Sequence, residues 1–180
     1  PGKAEKLGLG WDDVSLINDK IVYCSISAFG QDGPLSKRGA YDHVVQGMTG
    51  IMTTTGTKES GPTKVGAPYI DYATGLNAAF AITAALYEIK QNKKAIRLDV
   101  SMMDTSLLLM ANMVTEHLNS GWIPTPMGNE AQSGSPSSGM YDTKTDPILL
   151  AANNDHQFFA LCNALNTINV FDKEKWELET

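Results

Sequence analysis

Residues 65–91 constrain the architecture more than any other stretch. Val65 to Gly75 is punctuated by Gly66, Pro68 and Gly75 and carries one acid, Asp71. Leu76-Asn77-Ala78-Ala79-Phe80-Ala81-Ile82-Thr83-Ala84-Ala85-Leu86-Tyr87 then continues without a helix breaker, to about Gln91. The second segment demands a long helix, and the first demands a loop. Asp71 therefore stands at a loop-to-helix junction. A carboxylate there can accept hydrogen bonds from free backbone N–H groups, and it is favoured by the positive end of the helix dipole. It can also present an ionised oxygen to an electrophile. Cap and nucleophile are both open on the pattern alone. The small residues Ala73, Ala78, Ala79, Ala81, Ala84 and Ala85 imply close packing along the helix.

The flanking segments supply an α/β frame. Residues 11–19 suit a short helix with acids in its first turn. Lys20 to Gly30 is β-branched and apolar, as in a strand buried on both faces of a parallel sheet. The polar loop from Gly30 to Gly39 follows that strand's C-terminal end, a common ligand position in open α/β sheets. Its Lys37 and Arg38 could meet a phosphate or remain solvated. Tyr41 to Thr54 reads as a helix whose apolar face is Val44, Val45, Met48, Ile51 and Met52. Gly47 and Gly50 inside it suggest a close neighbour. Ala95 to Ser101 is a second strand candidate. Ser101 or Asp104 could cap a helix from Thr105 to Asn119 with Leu107, Leu108, Met110, Ala111 and Val114 as core. Residues 121–140 have a linker or mobile-loop composition. Pro147 to Ala152 reads as a short strand, and Asp155 to Leu165 as a helix with Phe158, Phe159, Leu161, Cys162 and Leu165 as core. A charged final helix follows. The expected domains are a large α/β part over 1–120, a linker over 121–140 and the start of a smaller domain over 141–180.

Composition narrows the classes. A net charge of −6 over 180 residues argues against a general nucleic-acid binder. No apolar run approaches a membrane span. Cys24 and Cys162 have no CxxC or Cys/His partner spacing and read as buried free thiols of a reducing compartment. No signal-peptide pattern opens the chain, so the expected location is cytoplasmic. The start at Pro1 without Met, and the end in a helix-like run, suggest an internal segment of a longer protein.

The common catalytic motifs are absent. There is no GxGxxG, P-loop, GxSxG or HExxH. His43, His117 and His156 lack metal-ligand spacing, so no metal is expected. No His accompanies a serine in a way that would support a triad. Asp71 remains, with Tyr41 and Asp42 at the start of the preceding helix. A lone carboxylate can act through a covalent acyl intermediate, in a site that excludes water and supplies N–H donors to the oxyanion. The Gly/Ser stretch 133–139 could be a lid or a plain linker.

Several stretches together resemble the class III CoA-transferases, the group of formyl-CoA and carnitine CoA-transferases and α-methylacyl-CoA racemases. They are Ile26 to Pro34, Gly39 to Gly50, Val65 to Gly75, Leu98 to Asp104, Met127-Gly128-Asn129 and Leu149 to Asn154. The resemblance implies part of a Rossmann-like large domain with parallel strands and helices, plus the start of a smaller α+β domain. It implies that Asp71 is the catalytic aspartate, passing through an acyl–aspartyl anhydride and an aspartyl-CoA thioester. No tightly bound cofactor is implied; the CoA thioester is a substrate and a carboxylic acid the acceptor. Racemases of the group have a His where this chain has Tyr41. A phenol is a poor base near neutral pH, which favours transfer over racemisation and makes Tyr41 a hydrogen-bond donor to substrate. His43, two residues on, is expected to point elsewhere. The resemblance further places Lys6, Lys37, Arg38, Ala67 and Gly134 in substrate or CoA binding. No glycine run stands at 128–139, where formyl-CoA transferase has a glycine-rich lid. Family members are longer and form interlocked homodimers, so the segment alone is expected to be weakly active or inactive.

Overall fold

The computed structural model describes residues 1–167. The chain forms two compact units, Pro1–Pro126 and Met127–Thr180. The charged final helix expected from the sequence lies outside the described residues.

The first unit is α/β, as expected. Two short helices, α1 (Lys3–Lys6) and α2 (Trp11–Ile17), precede strand β1 (Val22–Ser27). Helix α3 (Asp42–Thr49), a 3-10 turn at Ile51–Thr53 and the long α4 (Tyr69–Asn92) then lead to β2 (Ile96–Ser101). β1 and β2 pair in parallel, from Val22 opposite Ile96 to Ser27 opposite Ser101. Parallel pairing requires a long crossover, which α3 and α4 provide. Helices α5 (Met102–Leu109) and α6 (Ala111–Ser120) follow. Ala28, Val45, Ile70 and Met102 form the core where β1, α3, α4 and α5 meet, with Phe29, Ala40 and Tyr69 packed against it.

Three expectations change. The buried positions of α3 are Asp42, Val45 and Gln46, while Val44 and Met48 are 38% and 43% exposed. The polar pair is buried because Asp42 bonds the start of α4 and Gln46 bonds Asp42 and the loop before α4. Gly50 is not inside the helix but ends it at φ 83°, a conformation glycine adopts without a Cβ penalty. A Cβ at Gly47 would meet only Met52 Sδ at 3.6 Å, an ordinary contact, so no close neighbour requires that glycine. The expected 105–119 helix is two helices. The Met110 N–H bonds Leu107 O at 3.1 Å and Ser106 O at 3.3 Å, a tightening that ends α5. Its buried face is Met102, Thr105 and Ser106, with Leu107 and Leu108 outside. Small hydroxyl residues serve there because α5 touches its neighbours through hydrogen bonds. Thr49 and Ser106 hydroxyls lie 2.8 Å apart, and Asn77 Nδ2 donates to Thr105 Oγ1.

Helix α4 buries one stripe, Ile70, Thr74, Ala78, Ala85 and Ile89, at spacings that share a helix face. Tyr72, Leu76 and Phe80 are at least 70% exposed on another. Ala79 and Ala84 are also exposed, so the small residues mark close packing only in part.

The second unit pairs β3 (Ser138–Tyr141) with β4 (Ile148–Ala151) in antiparallel register and carries α7 (Asp155–Ala164). Strand β3 begins within the stretch whose composition suggested a linker. In α7, Cys162 is buried and Leu165, past its end, is 62% exposed. Both cysteines are free, and Cys24 is only half-buried.

Candidate active site

The loop into α4 ends on Pro68, the N-cap residue, which has no side chain able to accept a hydrogen bond. The N–H groups of the first turn, which have no partner within the helix, must find acceptors elsewhere. Tyr69 N–H bonds Ala67 O at 2.8 Å. Ile70 N–H and Asp71 N–H both donate to Asp42 Oδ2, at 2.8 and 3.2 Å. The cap of α4 therefore comes from another helix. Asp42 Oδ1 accepts from Gln46 Nε2, one turn along α3. Gln46 Oε1 in turn accepts from Val65 N–H at 2.9 Å, in the approach loop. Asp42 is 7% exposed and Gln46 fully buried.

Asp71 is the third residue of α4 and lies on the surface. Its carboxylate has no hydrogen-bond partner among the described residues. It is thus not the cap of its helix.

Tyr41 is the N-cap of α3, extended at φ −107° and ψ 166°, and 78% exposed. It sits one residue before Asp42, so the two candidates Tyr41 and Asp71 flank the same buried carboxylate. Contrary to expectation, His43 does not point elsewhere. Its ring is parallel to that of Tyr41, within 5°, at a centroid distance of 6.3 Å. The helical spacing argument fails because Tyr41 lies outside the helix, in extended backbone.

Tyr69, next in line, has a buried hydroxyl with no partner among the described residues. Burial pushes its phenol above the usual value of 10, and the Asp42 charge pushes it further.

The remaining candidates are dispersed. Lys37 and Arg38 are exposed in the loop after β1, in turns closed by Ser36 N–H to Gly33 O and Arg38 N–H to Leu35 O. The start of that loop is held by Gln31 N–H on Asp99 Oδ2 at 2.7 Å. Lys6 is the exposed last residue of α1. Lys3, on the same helix, lines a polar cavity of about 290 Å³ with Tyr23, Ser25 and Gln31, and Lys6 does not. Ala67 is exposed and offers its carbonyl to Tyr69. Gly134 belongs to the second unit, in a turn with φ 67° whose N–H bonds Ala131 O. An apolar cavity of about 420 Å³ is lined by Leu107, Met110, Met113, Val114 and Ile123, and touches α3 at Thr49, the opposite end from Asp42. Among the described residues, no helix is long and apolar enough to cross a membrane.

Sequence reasoning placed Asp42 beside Tyr41 but gave it no role, and it missed Gln46. The signal was an acid and an amide four residues apart on one helix, which face each other.

An exposed carboxylate at the start of a remotely capped helix, in an α/β frame, is the setting in which the comparisons with known proteins fall. The chain belongs to CoA-transferase family III, whose profile matches residues 1–179. It is 35% identical over 171 residues to the succinate–glutarate CoA-transferase of Agrobacterium fabrum, covering 95% of this chain and 42% of that protein. It is 34% identical over 166 residues to the acetyl-CoA:oxalate CoA-transferase of Acetobacter aceti, covering 92% and 42%. Among solved structures, a CAIB/BAIF family protein from Brucella suis superposes with a TM-score of 0.82 at 34% identity, over 93% of this chain and 44% of that one. The chain thus spans less than half the length of these relatives.

Proposed function

We propose that the whole protein is an acyl-CoA:carboxylate CoA-transferase and that Asp71 is its nucleophile. The observation that carries this is the free, exposed Asp71 carboxylate on a helix already capped by Asp42. In the first step an Asp71 oxygen attacks the thioester carbonyl; the C–S bond breaks and CoA thiolate leaves a mixed anhydride. The thiolate attacks the Asp71 carbonyl of that anhydride and releases the donor acid as its carboxylate. The acceptor carboxylate displaces thiolate from the aspartyl-CoA thioester, giving a second anhydride. Attack of the thiolate on the acceptor carbonyl yields the new acyl-CoA and restores Asp71. No proton is consumed, so the reaction needs donors to the oxyanions rather than a base. Tyr41, with its exposed phenol beside this corner, fits such a donor. Lys6, Lys37 and Arg38 fit partners of the CoA phosphates, and Ala67 a backbone neighbour of the substrate.

The relatives' names supply the substrates to try. Succinyl-CoA with glutarate or oxalate as acceptor is the first assay. Hydroxylamine should trap an acyl group on the whole enzyme during turnover, and Asp71→Ala should abolish both trapping and transfer. Transfer undiminished in Asp71→Ala would overturn the reading. The exposed Tyr72, Leu76 and Phe80 fit a further proposal, that the working form is an interlocked homodimer; a cytoplasmic location is proposed with it from the sequence alone. On that basis the 180 residues alone turn over weakly or not at all.

The parallel Tyr41 and His43 rings favour one second reading, a 2-methylacyl-CoA racemase with His43 as base. It predicts deuterium uptake at the α-carbon in D₂O with no acceptor acid present. The transferase reading predicts none.

A further inference from the structure

We infer that Asp42, held by Gln46, is a positioning residue that fixes the place of Asp71 relative to Tyr41. The inference rests on the reading of Asp71 as nucleophile and adds a second acid to it. Burying a carboxylate is costly unless its oxygens are satisfied. Those of Asp42 are satisfied by three N–H donors, and none of them is a cation: Gln46 Nε2, Ile70 N and Asp71 N. The last is the peptide nitrogen of the reacting residue itself. A shift of Asp42 therefore shifts the backbone from which the nucleophile hangs.

A local cap could have served α4 alone. A Ser or Asp at position 68 would satisfy the same N–H groups without reference to any other element. The chain uses Pro68 there and brings the acceptor from α3, directly after Tyr41. Gln46 extends the tie to Val65 in the approach loop. One buried pair thus joins the start of α3, the approach loop and the first turn of α4. These are the segments that carry Tyr41, Ala67 and Asp71. Covalent transfer depends on placement to within fractions of an ångström, and a displacement of about 1 Å can lower the rate ~100-fold. Binding of CoA at distant groups is not sensitive to that displacement.

The test uses the whole protein with succinyl-CoA and glutarate. Each variant's rate is normalised to the sites titrated by hydroxylamine trapping, so that loss of folded enzyme does not count as loss of kcat. Asp42→Asn keeps size and removes an acceptor oxygen; it should lower normalised kcat about 10- to 100-fold and leave KM for succinyl-CoA within about threefold. Gln46→Ala should act in the same direction, about 3- to 10-fold. Asp71→Ala in parallel tests the underlying reading. If Asp71→Ala abolishes trapping while Asp42→Asn and Gln46→Ala keep normalised kcat within twofold, the positioning role is overturned and the nucleophile stands. If Asp71→Ala still turns over, the nucleophile reading fails, whatever the Asp42 variants do. Should Asp42→Asn fail to fold, Gln46→Ala decides: a fall in kcat at constant KM supports the role, and an unchanged kcat or a rise in KM alone refutes it.

Discussion

Asp42 and Asp71 are two acids, 29 residues apart, that meet at the same helix end and behave in opposite ways. Asp42 belongs to α3 yet caps α4. It is buried, and both of its oxygens are engaged by N–H donors. Asp71 belongs to α4 yet caps nothing. It is exposed, and among the described residues its oxygens have no partner. The difference lies in where the lone pairs go. A carboxylate that accepts several backbone hydrogen bonds is stabilised as an anion and loses nucleophilicity. By moving the capping task to a second acid, the fold leaves the resident one available. The cap and the exposed carboxylate coincide in space but not in side chain.

The largest effect that could break this contrast is on activity. Asp71→Ala should lower CoA transfer in the whole protein by more than about 10³-fold, the scale of removing a covalent nucleophile. It should change stability by less than about 1 kcal/mol, since only a dipole interaction is lost. Asp42→Ala should do the reverse in kind. Removing it leaves buried Ile70 and Asp71 N–H groups and the Gln46 amide without an acceptor, a loss of about 2–3 kcal/mol. Urea unfolding of the two variants checks both halves. If Asp71→Ala proved the more destabilising, the assignment of cap and free acid would be wrong.

This contrast was only half legible in the sequence. The junction at 65–75 and the helix after it could be read because helix breakers and helix formers act locally. So could β1 and β2 as strands, but not their burial: β1 is only half-buried, with Ile26 55% exposed, and β2 leaves Arg97 and Asp99 exposed, so the expected burial on both faces is not found. The cap itself could not be read, because the acceptor lies 28 residues before the Ile70 N–H it satisfies. An apolar-periodicity reading of α3 then chose Val44 and Met48 over Asp42 and Gln46. It assumes that buried means apolar, and this helix buries its polar pair. His43 was misplaced for a similar reason, since helical spacing was applied to Tyr41, one residue before the helix begins. The break at Met110 has no glycine or proline to announce it.

A third helix start sharpens the contrast at smaller scale. Ser101 caps α5 locally: its Oγ accepts from Asp104 N–H at 3.0 Å, and its hydroxyl donates to Asp104 Oδ2 at 2.6 Å. Here acceptor and helix are neighbours in sequence, so the residue is replaceable without disturbing another element. Ser101→Ala should lower stability by about 1 kcal/mol. It should leave kcat per titrated site unchanged. A drop in that rate comparable to the Asp42→Asn effect would show that any loosened cap in this unit slows transfer, and the special place of Asp42 would be lost.

The smallest effect reports on the Asp42 charge through Tyr69. The Tyr69 hydroxyl is buried without a partner, and burial first, then Asp42, raises the phenol above 10. A folded value above the unfolded one means that the neutral phenol's contribution is complete below about pH 10 and is lost as pH rises through the folded value. Tyr69→Phe removes both the unsatisfied hydroxyl and this alkaline loss. It should raise stability by up to about 1 kcal/mol at pH 8, and its advantage over the wild type should widen at pH 10.5. Urea midpoints at the two pH values measure it. Asp42→Asn should narrow the widening, because one of the two causes of the shift is gone. A Tyr69→Phe variant less stable than the wild type at pH 8 would mean that the phenol has a partner, and that the Asp42 corner is wider than the two acids that define it.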